Sequence, residues 1–470
     1  MCLLIATALP VPAANLIWTG AVNTNWDLLT KNWLSNGVAV SYFQGFSSPD
    51  PNVTFNDIGL GSVNIAGVVQ PGSMTFANNL TNYTFTSNSM TFVIGNTGIT
   101  LNGKGSVTLN SPNAFTGDTI IDQGTLILGS YGGFGQVLIY NGVPPGNLVF
   151  GGLGNTTFEP NEGLANVSQT TTFNNLVLGS GANAQISSNG RGANDTGDVV
   201  FNGSITRNVG SSLFINYAIK AGTANNGVYF TNTLPWSNGL LGGGYLHTGS
   251  DWLAAQTNFN NGANGPYNYT GYSNNPAIGD WVSTNNISVS NNTASVTASS
   301  TVNTLKLSGP ATVTISAGQA LAIQTGGLLV SSASTGPGAI NGGTLVGAPG
   351  ADLIVLQNYK SSPLTIGSVI GDNGPATALT LGGLGGTLIL TNNETYTGAT
   401  YVNNGTLTLA GGGSISSSPL ITVSAGAMID ASQLSSGTLS LASGQTLDGN
   451  GTVNGSVGRC AWWCSRAGCQ

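Results

Sequence analysis

Charge is the first thing this sequence lacks. Asp, Glu, Lys and Arg make up 5 % of the chain, with 9 Lys and Arg against 16 Asp and Glu. A net charge of −7 and no basic cluster argue against a nucleic-acid partner, because phosphates need cations to neutralise them. An anionic membrane surface is a poor partner for the same reason. Low charge with a mean hydropathy of +0.15 also argues against ordinary disorder. Cysteine is confined to the ends, at Cys2, Cys460, Cys464 and Cys469, so the body holds no disulfide framework and no thiolate metal site. The last three do not have zinc-finger spacing, and no histidine is near them. Proline, at 18, is too sparse for a collagen-like chain. No apolar run is long enough to cross a bilayer as a helix. Helical periodicity is missing too, since Gly, Asn or Pro interrupts every window before three turns are complete.

What the chain has in abundance is glycine, 71 residues of it, with Asn, Ser and Thr. These residues punctuate short alternating stretches. "NAFTGDTIIDQGTLILG" at 113–129 aligns without a gap with "ETYTGATYVNNGTLTLA" at 394–410. Phe115 meets Tyr396, Thr116-Gly117 meets Thr397-Gly398, and Thr119 meets Thr400. Gly124 meets Gly405, Leu126 meets Leu407, and Leu128 meets Leu409. The Gly-Thr-Leu start recurs at 343–345, 386–388 and 437–439. A unit on the order of 20 residues suits one coil of a parallel β-solenoid, whose coils bury an apolar face only by stacking. Stacking puts like residues over like, so charge is disfavoured in the ladders. Leu126, Leu128, Leu388, Leu390, Leu407 and Leu409 are expected to line one continuous interior, with Thr406 and Thr408 facing outward.

The chain divides by composition. Residues 1–14, "MCLLIATALPVPAA", read as the remnant of a signal peptide. Residues 15–60 concentrate Trp18, Trp26 and Trp33 and read as a cap on the first coil. Coils follow over 61–225. Residues 226–290, rich in Trp and Tyr, read as an insertion or as irregular coils on the side of the stack, and coils resume over 291–457. Residues 458–470, "GRCAWWCSRAGCQ", break the pattern with three of the four cysteines and two of the eight tryptophans. They read as an out-of-frame end that makes no ordered coil, with a disulfide-bearing or metal-binding cap as the alternative.

These residues resemble the autotransporter-associated β-strand repeat proteins of Gram-negative-type bacteria. The aromatic-Thr-Gly turn, the Asn-rich corner and the Gly-Thr-Leu strand carry the resemblance at 105–129 and 386–410. The opening "IWTG…NTNWDLLTKNW" and the pairs Asp251-Trp252 and Asp280-Trp281 extend it. The resemblance implies a right-handed parallel β-helix, secreted or displayed at the cell surface. It implies no catalytic residues and no cofactor. It also implies an outer-membrane anchor, which this sequence does not show. A surface polysaccharide or a host or matrix surface is the partner expected.

Parallel β-helices also house polysaccharide-cleaving enzymes, and the chain holds several acid and base candidates. Asp118 and Asp122 flank a strand as a carboxylate pair might. Arg191, Asp195 and Asp198 form an acid–base cluster or a weak calcium loop, and Glu159 with Glu162 sits in a turn. His247 precedes Asp251 by four residues, with no serine elbow beside it. Each reads more simply as a corner or packing residue, and no metal or catalytic set is assigned. Trp236, Trp252, Trp281 and Tyr245 are either a carbohydrate-stacking platform or an aromatic plug on the coils.

Overall fold

The computed structural model describes residues 13–45, 50–87, 93–110, 113–129, 146–152, 154–160, 168–188, 196–217, 227–232, 236–241, 243–254 and 267–459. The signal-peptide reading of the first residues falls outside them. Among the described residues the chain is all-β, and its one helix is the single 3₁₀ turn Ile278–Asp280.

The strands form because apolar residues alternate with Asn, Ser and Thr, which gives each a buried and a wetter face. Val53 and Phe55 are buried in Asn52–Asn56, Met74 and Phe76 in Ser73–Ala77, and Val107 and Leu109 in Ser106–Asn110. The chain returns to the same sheet rung after rung. Met74, Ile99, Thr119, Leu148, Leu176 and Ile205 pair in succession as one parallel column. A second sheet runs through Ser106–Asn110, Gly124–Leu128 and Asn155–Pro160. The second half repeats the plan, with Leu388, Leu407 and Ile429 in one parallel column and Leu379, Thr400 and Ile421 in another. This ladder order is the one a β-solenoid has.

At the N-terminal end the ladder stops being parallel. Trp33–Ser35 pairs antiparallel with Asn15–Trp18 on one side and Val38–Val40 on the other. Trp18, Trp26 and Trp33 are fully buried there, with ring centroids 5.1 Å apart in both the Trp18–Trp33 and Trp26–Trp33 pairs. Between the halves lies a small antiparallel sheet of Trp236–Ser237, Leu240–Leu241, Leu253–Ala254 and Tyr267–Asn268.

The expectation of one continuous interior is corrected. All six expected leucines are buried, but Leu126 and Leu128 belong to a first core and Leu388, Leu390, Leu407 and Leu409 to a second. The two stacks lie side by side and run in opposite senses. Gly154 bridges Ala425, Asn183 meets Gly383, Arg207 meets Asp352, and Gly249 meets Ser332. Gly327–Val330, Asp352–Gln357 and Ala378–Gly382 are buried on both faces, because the first stack covers what would otherwise be their solvent side. Leu329, Ile354 and Leu356 thereby join the first core. Each apolar side chain so buried contributes about 1.5–3 kcal/mol, an upper figure.

Two further readings change. Thr408 does not face outward as expected: it is buried, while Thr406 is half-buried, and Thr119 and Thr400 are fully buried as well. Pairing also continues past 458, since Ser456–Arg459 runs parallel to Thr438–Leu441. The rest of the anomalous tail lies outside the described residues.

Candidate functional site

Both repeat copies place their motif residues alike. A side chain on Gly117 would collide with the Thr97 carbonyl of the preceding rung, and one on Gly398 with the Thr377 carbonyl. Gly124 and Gly405 hold φ of 80° and 81°, a left-handed conformation that favours glycine. Leu126 and Leu407 follow, fully buried. In the second copy the turn is locked by Asp372, which accepts from the Thr397 amide at 2.9 Å and the Thr397 hydroxyl at 2.7 Å. Partial burial pushes the Asp372 carboxyl up, but the Thr377 amide at 2.7 Å and the two Thr397 bonds together hold it below the usual range. Inside the coil the Tyr396 hydroxyl lies 2.6 Å from Thr400 Oγ1, which donates to Ser418 Oγ at 2.9 Å. The first copy has Phe115 in place of Tyr396, and Thr119 Oγ1 has no partner. The side chain of Phe115 lies outside the described set.

The acid and base candidates among the described residues do not converge. Asp118 and Asp122 stand at opposite ends of Thr119–Ile121. Asp118 is exposed and accepts from the Asn147 backbone and side-chain amides at 2.8 and 2.9 Å. Asp122 sits against Gly151, and burial pushes its carboxyl up. Burial does the same to Glu159. Arg191, Asp195, Glu162 and the side chain of Asp198 lie outside the described set. His247 is wholly buried, which drives its pKa down to about 3. Its Nδ1 accepts from the Gly249 amide at 3.2 Å and lies 3.3 Å from Asn358 Nδ2, while Nε2 has no partner. Asp251 instead pairs with Lys306 and accepts from the Tyr272 hydroxyl at 3.1 Å. His247 and Asp251 are therefore packing residues on different networks. Among the described residues no three His, Cys, Asp or Glu side chains gather as metal ligands would.

The sequence reading missed Glu394. It is buried, accepts from the Ile370 amide at 2.5 Å through Oε2, and leaves Oε1 without a partner. Burial raises its pKa to about 8. A signal was present, since Glu394 stands where the other copy has the uncharged Asn113.

The aromatic platform is not assembled. Trp252 is fully buried and Tyr245 and Trp281 nearly so, at 9 % and 5 % exposure. Trp252 and Tyr245 pack in the first core and have no ring face to offer a sugar, and Trp281 packs separately in the second core. Arg207 lies over the Tyr245 ring at 5.2 Å. The side chain of Trp236 lies outside the described set. What Trp281 does border is an open groove of about 600 Å³, lined with Ser283, Thr301, Gln324, Pro349 and Asn373 among others. No ionised side chain lines it.

Comparison with known proteins agrees with this geometry. Residues 99–128 and 385–409 match the passenger-associated-transport-repeat family. The chain is similar to the adhesin BmaC autotransporter of Brucella suis biovar 1 (strain 1330), at 28 % identity over 255 residues. That alignment covers 53 % of this chain and 7 % of the adhesin, so the chain spans a small part of that relative's length. No solved structure matches.

Proposed function

We propose that this autotransporter passenger-type repeat protein is a non-enzymatic, secreted or surface-displayed right-handed β-helical stalk with an adhesive role. The observation that carries the reading is the rung geometry. Two matching repeats sit at equivalent places in rigid, nearly uncharged ladders, and the acids around them are spent on corners or buried singly. Such a body holds its outward turns at fixed spacing, and its described residues bring together no paired acid and base to break a glycosidic bond. The similarity to a protein named as an adhesin supports the adhesive part. No helix among the described residues is long and apolar enough to cross a membrane.

Two measurements test this. Microspheres coated with the native chain are expected to resist flow on matrix-coated or polysaccharide-coated surfaces, and heat-unfolded coats are not. Equal detachment of both defeats the adhesive role. Incubation with pectin or alginate is expected to release no reducing ends or unsaturated sugars. Steady release that Asp118→Ala abolishes overturns the non-enzymatic reading.

A further inference from the structure

We infer that the groove beside Trp281 binds a linear, uncharged oligosaccharide lying along the direction in which the coils stack. The groove runs across rungs rather than along one. Thr301 and Ala322 pair on neighbouring strands of its floor, and Pro349 and Asn373 lie just past the ends of the next two strands, Gly338–Val346 and Leu364–Gly371, so the groove spans four successive rungs. The turn carrying Val282 and Ser283 borders it, as do the turns carrying Pro349 and Asn373. An open groove that crosses rungs suits an extended chain better than a compact monomer.

The lining decides the ligand class. Ser283, Thr301 and Gln324 are exposed, and their side chains hold no hydrogen bond within the described chain. They offer two hydroxyls and an amide that both donates and accepts. Asn373 Nδ2 is held by the Gly347 carbonyl at 2.8 Å, which fixes its Oδ1 as an acceptor. Ser299 and Ser300 are already engaged with Gln319 and the Ala298 carbonyl, so they shape the floor. Val282, at 44 % exposure, and Pro349 give apolar surface for the C–H face of a sugar ring. Mixed donors and acceptors beside small apolar patches match a polyhydroxylated chain. With no cation in the groove and a net charge of −7, phosphate, sulfate and uronate groups find no counter-charge.

The adhesive reading supplies the setting for this inference, and the test separates the two. The full chain is titrated calorimetrically with neutral hexasaccharides of the gluco, xylo, manno and galacto series, and with oligogalacturonate as the charged control. Saturable binding to at least one neutral series is expected, with none to the control. Gln324→Ala, which removes an amide, and Thr301→Tyr, which fills the trough, should each weaken that binding about tenfold or more, as loss of about 1.4 kcal/mol does. Both positions are exposed, so melting temperatures should stay at the wild-type value, which a circular-dichroism melt verifies. The inference is overturned if no neutral series binds, if both variants bind like wild type, or if the charged control binds better. Microsphere attachment that persists without saccharide binding defeats the groove alone. Saccharide binding without attachment defeats the adhesive role alone.

Discussion

Arg207 and Asp352 stand 145 residues apart and meet through two parallel hydrogen bonds of 2.9 and 2.7 Å. The carboxylate also accepts from the Gly210 amide at 3.1 Å and the Thr380 hydroxyl at 2.7 Å. Arg207 Nε and Nη2 donate to the Ser211 carbonyl as well. The pair belongs to one stack on each side, so it fixes how the stacks register. Bidentate geometry with the remaining donors satisfied is what makes a buried pair tolerable. Asp352→Ala should lower stability by about 3–5 kcal/mol in urea denaturation, because it leaves a guanidinium without its partner. Arg207→Met combined with Asp352→Leu should recover most of that loss. An unchanged midpoint for Asp352→Ala means the pair does not form in solution.

Leu407→Asp should cost several kcal/mol, since an unpaired charge enters a dry interior between Leu388 and Ile429. Chemical denaturation measures it, and an unchanged midpoint would put Leu407 on the outside.

Tyr396→Phe removes the hydroxyl shared with Thr400 and copies the first repeat. It should cost about 1–2 kcal/mol. Calorimetric unfolding of the two proteins gives the difference, and equal stability would mean the Tyr396–Thr400 bond contributes nothing.

Two buried groups set opposite pH dependences. His247 stays neutral in the fold, with its pKa lowered from 6.5 to about 3. Below pH 6.5 the unfolded chain takes up a proton that the folded chain refuses, so stability falls as pH drops from there toward 3. Glu394 has its pKa raised from 4.5 to about 8. Its contribution is full below 4.5 and is lost as pH rises toward 8, because the unfolded carboxyl ionises first. Each effect is on the order of a few kcal/mol at its far end. His247→Gln should flatten the acid side of the stability curve and Glu394→Gln the neutral side. A variant whose curve parallels the wild type shows that its group is not buried in solution.

The coils were legible because alternation and repeat spacing act locally. Leu126 and Leu407 could be placed inside from Gly-Thr-Leu and a strand period alone. The side-by-side packing was not, although its trace is visible in hindsight. "GLLV" at 327–330 and "DLIVLQ" at 352–357 are continuous apolar runs rather than alternating ones, the pattern of strands covered on both faces. The tryptophans misled for the same reason. An aromatic cluster beside Asn and Asp looks like a sugar platform, and only the neighbouring stack shows that Trp252 is enclosed. The groove gave no signal at all, because Ser283, Thr301, Gln324 and Asn373 are ordinary polar residues brought together by coil register.

One disulfide tests most directly whether the two coil stacks lie side by side in opposite senses. A Cβ at Gly154 would lie 3.5 Å from the Ala425 Cβ, within the range of about 3.5–4.5 Å that a disulfide spans. With Cys2, Cys460, Cys464 and Cys469 replaced by Ser, a chain carrying Gly154→Cys and Ala425→Cys is oxidised, digested and examined by mass spectrometry. Near-complete linkage of the 154 and 425 peptides within monomers is the result predicted. Two free thiols that a maleimide labels fully after oxidation would place those residues far apart and contradict the side-by-side arrangement.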